Sequence, residues 1–394
     1  MTVRHFDAVV IGGRVAGSAA ALGLASAGAR VLIVEREAEL GDTLSTHALM
    51  RPAVELLGRW GLIHPLVKAG TPWVREARFQ YGQERVVVPV KPSAVAEGLL
   101  APRRWLLDRM LFDAAVSAGA EAALGTAYEH CLTNDMGRVN GAILRGTGGE
   151  RLMVSTDLLI GADGRSSPVA GTIGVETLAT SPHSAATLYG YFSGVPNEGY
   201  RWYFGDRIAA GIIPTTSQQS CVFASCPPED FALRFGADPL AGLAVTLAVF
   251  EPALSGLIRR SGDLRLRRFL GAPGCMRART GPGWALVGDA AFFRDPATAH
   301  GITDALLDAH ALSSSLLATG RLDAYGRERD AQSIPLFSIT QEIASFECEM
   351  ERVKALHAEL NACMKAELPT DTGHAPRQTF PPFASASPRR ALQN

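Results

Sequence analysis

A buried apolar run, Phe6–Ile11, leads straight into Gly12-Gly13-Arg14-Val15-Ala16-Gly17. A helix of small residues (Ala16–Ala27) and a second apolar strand (Val31–Val34) follow, one βαβ unit in about thirty residues. Such a turn serves a dinucleotide when one glycine makes the bend, one lets backbone approach the pyrophosphate, and one lets helix and strand pack closely. Gly12 and Gly17 take the first and third places, and Arg14 stands where the second glycine is expected. Its Cβ narrows the phosphate path, although its guanidinium could lie against the phosphates. Gly13 still leaves one unencumbered backbone position, and the N–H groups at the helix start attract an anion. Glu35, eighteen residues after Gly17, closes the second strand where an acid would accept a ribose hydroxyl. An ordinary tight turn is the bland alternative, and Glu35 in register weighs against it.

Glycine accounts for 40 of the 394 residues, above the usual ~7%, and several of the rest sit at strand ends too. Gly161-Ala162-Asp163-Gly164 follows the apolar strand Leu158–Ile160, and Gly288-Asp289 follows Trp284–Val287. In each, a carboxylate leaves the carboxyl end of a strand, where α/β sheets place ligands. Downstream lie Pro296 and then His300-Gly301-Ile302-Thr303, which opens a helix. A helix start aimed at a flavin puts partial positive charge where the reduced ring becomes anionic, and glycine at 301 lets a ring approach the backbone.

Taken together, Gly12…Gly17, Glu35, Asp163-Gly164 and Gly288-Asp289…Pro296…Gly301 resemble FAD-dependent oxidoreductases of the aromatic-hydroxylase (group A flavin monooxygenase) and geranylgeranyl-reductase superfamily. The resemblance implies Glu35 as ribose ligand, Asp289 at the ribityl and pyrophosphate region, and Gly301 and Ile302 under the pyrimidine end of the flavin. It implies Asp163 and Gly164 as the family's DG motif, with Ala170 where that motif often ends in arginine. Arg104 matches the arginine on the connecting helix that reaches the pyrophosphate. Arg36 could support the adenosine side or lie solvated. His47, in Asp42-Thr43-Leu44-Ser45-Thr46-His47, falls on a loop that runs along the isoalloxazine; it is a candidate acid or base or a structural histidine. The halogenase motif W-x-W-x-I-P is missing, whereas Tyr200-Arg201-Trp202-Tyr203-Phe204-Gly205 matches the reductase motif Y-x-W-x-F-P in all but its proline.

The expected architecture is α/β: a Rossmann-like (βαβ, glutathione-reductase-type) FAD domain over 1–71, 101–170 and 276–322. A mixed β-sheet substrate domain is inserted over 72–100 and 171–275, and C-terminal helices span 323–368. The tail 369–394 has too little apolar content to fold. Smaller elements are also expected: one strand over Phe79–Val90, one helix over Pro239–Leu257, and a helical break near Pro335.

Other classes are excluded by composition. Thirty-eight basic against 39 acidic residues give a net charge of −1 and no overall footprint for nucleic acid or anionic membrane. Six scattered cysteines without C-x-x-C read as reduced thiols, and nine histidines never fall at metal-ligand spacing. The N-terminal apolar run is interrupted by Asp7 and reads as part of a cytoplasmic fold, and no integral membrane segment is expected. The leading functional expectation is a monooxygenase that inserts one oxygen atom of O2 into a small apolar or aromatic substrate through a flavin C4a-hydroperoxide. Without a second dinucleotide fingerprint, NAD(P)H would bind transiently, or a partner flavin reductase would supply electrons. The alternatives are an alkene reductase or dehydrogenase of the geranylgeranyl-reductase type, and a flavin-binding protein with weakened or lost catalysis, in which Arg14 has weakened or abolished cofactor retention.

Overall fold

The computed structural model describes residues 3–260 and 265–367. The tail from 369 lies outside them. Five parallel strands run, from one edge, Trp284–Leu286, Arg151–Gly161, Arg4–Ile11, Val31–Glu35 and Glu121–Leu124. Alternation over Ala8–Ile11 divides two cores. Ala8 and Val10 face the helices Val15–Ser26, Arg104–Ser117 and Gly301–Thr319. Phe6, Val9 and Ile11 face an apolar layer that includes Val139, Leu144, Met276 and Phe292. The expected strand Leu158–Ile160 is the end of a longer one, Arg151–Gly161, whose first half pairs with Val139–Arg145 and whose second half pairs with Trp284–Leu286. The carboxyl ends of Arg4–Ile11, Arg151–Gly161 and Trp284–Leu286 therefore carry Gly12, Ala162-Asp163 and Gly288-Asp289 to one edge.

A second, seven-stranded sheet runs Arg267–Phe269, Ala186–Ser193, Gln219–Cys226, Ile208–Thr215, Tyr200–Gly205, Glu76–Tyr81 and Glu84–Pro89. The expected single strand over 79–90 is a hairpin turned at Gly82, whose φ of +58° suits glycine. Period-two alternation gives this sheet two faces. Tyr189, Tyr191, Tyr200, Trp202, Phe204 and Phe223 join the core of the first sheet's helices. Leu188, Phe192, Tyr203, Ile212 and Val222 face outward, under Pro228–Phe235, Pro239–Phe250 and Pro252–Arg259. The helix expected over Pro239–Leu257 is broken at Glu251, because the residue before Pro252 is forced from helical geometry (φ −135°, ψ 74°).

Two helices, Asp323–Ala344 and Met350–Ala366, close the chain. The first runs through Pro335, where a break was expected. Burial of Leu336, Phe337, Ile339 and Ile343 outweighs the ~3 kcal/mol that an internal proline costs. The break comes later, where Phe346 takes a left-handed φ of +57°.

Candidate cofactor and active site

The glycine turn is built as the sequence requires. Gly12 has φ +108°, and a Cβ there would lie 2.3 Å from the Ala162 carbonyl oxygen. A Cβ on Gly17 would lie 1.8 Å from the Gly12 carbonyl oxygen. Both positions exclude any side chain. The Gly13 N–H donates to Glu35 (2.8 Å), and the other Glu35 oxygen accepts from the Glu37 N–H (3.0 Å). Glu35 is thus a buried acceptor at the end of its strand that already holds the turn, with lone pairs left for a further donor. Arg36 is exposed and pairs with Glu37 (3.4 Å), away from this network.

Arg14, at the N-cap of Val15–Ser26, makes no side-chain cap. Its guanidinium reaches Asp108 (2.9 Å) and the Gly41 carbonyl (3.0 Å). Arg104 grips the same Asp108 with two hydrogen bonds, at 2.7 and 3.0 Å. Asp108 is fully buried, so two guanidiniums share one carboxylate and leave a surplus positive charge beside the glycine turn, suited to an anion. Asp108 escaped the sequence reading. Its spacing of four from Arg104 on a helix was the available signal.

At the neighbouring strand ends the carboxylates diverge. Asp163 accepts from Ser167 Oγ (2.7 Å) and the Val169 N–H (2.9 Å), steadying the short helix Pro168–Ile173. Gly164 takes φ +81°. Asp289 accepts no hydrogen bond from a described residue, and one of its oxygens lies 3.7 Å from where a Cβ on Gly301 would be. Burial, assisted by Asp304 and Asp308 and opposed by Arg104 and Arg165, pushes its pKa up to about 6. Gly301 and Ile302 open the helix Gly301–Thr319 with no side-chain cap from His300, so their N–H groups remain available. Beside them the short turn Pro296–Thr298 is capped by Asp295.

The base of that helix is a buried ionic layer. Arg294 pairs with Asp304, Arg279 with Asp308, and Arg329 with Asp304, Asp308 and Glu367, all essentially without exposure. His300, Asp304 and Glu367 bring ligand-type atoms within 4.8 Å of one another. Arg294 and Arg329 already neutralise these carboxylates, which disfavours a metal ion there.

His47 is buried, with a left-handed φ of +69° held by a hydrogen bond from its N–H to Ser45 Oγ (2.9 Å). Its Nε2 lies 2.5 Å from Tyr191 Oη, and its Nδ1 is buried without a partner. Burial, then the charges of Arg103, Arg104 and Arg267, hold its pKa well below the usual histidine value, so the ring is neutral. Three residues on, the Met50 N–H donates to Thr303 Oγ1 (3.1 Å), which ties this loop to the first turn of Gly301–Thr319. Arg103 lies 3.4 Å over the Tyr191 ring and pairs with Asp42. Tyr191, Arg103 and Asp42 were also missed, because a tyrosine on an alternating strand looks like core. A strained backbone and an orphaned buried nitrogen together mark a place where a ligand atom belongs.

On the same face of the second sheet lies a small apolar cavity of about 40 Å³. Trp202, Phe204 and Phe223 form its floor, Ile343, Phe346 and Met350 its roof, and Ala297 one end. Tyr200, Trp202 and Phe204, the aromatic positions of the partial Y-x-W-x-F match, all project to this face. Tyr200 is spent structurally, donating to the Leu100 carbonyl (2.7 Å). The other two line the cleft.

The two glycine contacts, the uncapped helix starts, the unengaged Asp289 and the orphaned His47 Nδ1 fit an extended dinucleotide that carries a planar ring. Comparison with known proteins agrees. Residues 5–220 match the family described as FAD binding domain. The chain is 26% identical over 315 residues to digeranylgeranylglycerophospholipid reductase of Methanothrix thermoacetophila, covering 76% of this chain and 74% of the relative. It is 29% identical over 201 residues to tetracenomycin A2 monooxygenase-dioxygenase of Streptomyces glaucescens, covering 44% and 35%. The fold is shared with the geranylgeranyl bacteriochlorophyll reductase-like protein of Thermoplasma acidophilum, at TM-score 0.70 and 19% identity over 93% of this chain and 96% of that one.

Proposed function

Because the chain belongs to the FAD binding domain family and is an FAD-dependent oxidoreductase, we propose that it reduces a carbon–carbon double bond of an apolar, isoprenoid-like substrate. The observation that carries this reading is the cleft itself. The reductase-type aromatics Trp202 and Phe204 form its floor, and its one hydroxyl, Ser225 Oγ, is hydrogen-bonded to Thr187 Oγ1 (2.7 Å). A phenol awaiting hydroxylation needs a base nearby to become electron-rich, and the cleft's lining is mainly apolar, with Trp202, Ser225 and Cys348 its only polar-atom side chains and no carboxylate or histidine. A relative that matches over 76% of this chain and 74% of its own length is a reductase.

In this account the turn Gly12, Gly13 and Gly17 holds the pyrophosphate, with Arg14 and Arg104 neutralising it across Asp108. Glu35 receives the adenosine ribose, and Asp289 the ribityl chain. Pro296, Gly301 and Ile302 flank the ring, and Asp163 with Gly164 shapes the adjoining strand end. FAD, when bound, supplies the two-electron redox chemistry. The chain supplies orientation, a dry cleft and a proton. Tyr191, its pKa raised by burial, stays protonated beside neutral His47, and the pair holds a proton on the cleft's own sheet face. Electrons arrive from transiently bound NAD(P)H or from a partner flavin reductase.

The monooxygenase that the sequence placed first is retained as a second reading, on the 29% identity to a monooxygenase-dioxygenase. One experiment separates them. The protein is reduced anaerobically and mixed with a polyprenyl alkene; a reductase re-oxidises its flavin and yields saturated product without oxygen. Re-oxidation only on admitting oxygen, with an oxygenated product, would overturn the proposal in favour of the second reading.

A further inference from the structure

The net charge of −1 hides a local feature on the outer layer of the second sheet. The helix Pro239–Phe250 contains no charged residue, yet it is a surface helix. Its solvent side presents Val245 (56% exposed) and Val249 (72%), with Leu233 of the preceding helix at 90%. Pro252 and Ala253 prolong the uncharged strip along the next helix. A polar outer face is the rule for a helix that only covers a sheet. The chain then changes character: positions 259, 260, 265, 267 and 268 are arginine, against one acidic residue, Asp263. Arg267 pairs with Asp42 on the inner side. Arg259, Arg260, Arg265 and Arg268 are exposed, and among the described residues they have no ion-pair partner.

We propose that this outer layer, Pro228–Arg260 with the exposed Arg265 and Arg268, docks the protein peripherally on a membrane surface bearing anionic lipid headgroups. Two signals that bind weakly alone, an apolar surface and a polybasic stretch, bind stably together. The uncharged helix has 12 residues, short of the roughly 20 that a single spanning helix requires. It is also bent by 104° from its predecessor. A second copy is the competing occupant: the acids Glu229 and Asp230 of the same layer are already paired with Arg207, which leaves little to neutralise a second arginine cluster. The inference does not rest on the flavin reading.

Co-sedimentation of the full chain with phosphatidylcholine vesicles, with and without phosphatidylglycerol, tests it. The expected result is association only when phosphatidylglycerol is present, weakened by high salt and lost in V245D/V249D. R259Q/R260Q/R265Q/R268Q should bind roughly five-fold more weakly per arginine removed, at about 1 kcal/mol for each basic residue near the surface. These side chains face solvent, and unchanged circular dichroism certifies the fold; should the valine variant fail to fold, the arginine variant alone decides. Absence of wild-type association, or equal association by wild type and the folded variants, would overturn the proposal. So would self-association of a vesicle-indifferent wild type that V245D/V249D dissolves, which would assign the face to a second copy.

Discussion

Replacing Asp289 by asparagine should stabilise the FAD-free protein and weaken its hold on FAD, two effects of opposite sign from one oxygen-to-nitrogen change. The carboxyl pKa rises from 3.8 to about 6 in the fold, chiefly through burial. The folded chain therefore binds this proton more tightly than the unfolded chain, and ionisation removes stability as pH rises from about 4 to about 6. A shift of about two units corresponds to about 3 kcal/mol above pH 7, falling to about half at pH 5 and little by pH 4. It is an upper figure, because the carboxylate keeps some contact with solvent. With an unfolding entropy of ~2.1 cal/mol/K per residue, the gain amounts to roughly 4 °C in Tm at pH 8. Asparagine keeps the shape and removes the charge, so thermal melts of both apo proteins from pH 4 to pH 8 read the effect directly. Loss of a charge-assisted acceptor should meanwhile weaken FAD by roughly ten-fold or more. A Tm difference that does not vary with pH would refute the burial argument. Stabilisation with unchanged FAD affinity would refute the placing of Asp289 at the cofactor.

Two further substitutions address the turn. Arg14→Gly restores the usual glycine but leaves Asp108 with one guanidinium instead of two; FAD affinity should fall by about ten-fold, with a flatter salt dependence in a fluorescence titration, and tighter binding would show that Arg14 obstructs. Gly17→Ala places a Cβ 1.8 Å from the Gly12 carbonyl oxygen; separating strand from helix should cost at least 1–3 kcal/mol, read as a lower Tm or lost soluble protein, and a variant as stable as the parent would refute the close packing.

Much of this site could be read in the sequence, because its parts are backbone requirements. Gly12, Gly17, Gly164 and Gly288 are fixed by positive φ or by contacts too close for a Cβ, and such demands leave glycine at set distances from apolar strands. The helix break at Glu251-Pro252 was equally legible in principle, being a local steric rule. Pairings between distant segments were not. Nothing near Arg14 announces Asp108, 94 residues on. Nothing near His47 announces Tyr191, which reads as one more aromatic on an alternating strand. Pro335 misled for the same reason, since the packing that keeps its helix continuous is tertiary. The arginine cluster at 259–268 was present throughout, but a balanced total charge concealed it until the exposed apolar helix was seen beside it.

The central claim, that this chain binds FAD across the glycine turn and the start of Gly301–Thr319, is tested most directly by titrating FAD-free protein with FAD and, in parallel, with riboflavin. The account predicts saturable quenching of flavin fluorescence by FAD at one equivalent per chain, and binding of riboflavin weaker by orders of magnitude, because the pyrophosphate meets Arg14, Arg104 and the N–H groups of the turn. Equal affinity for both flavins, or no quenching by either, would contradict it.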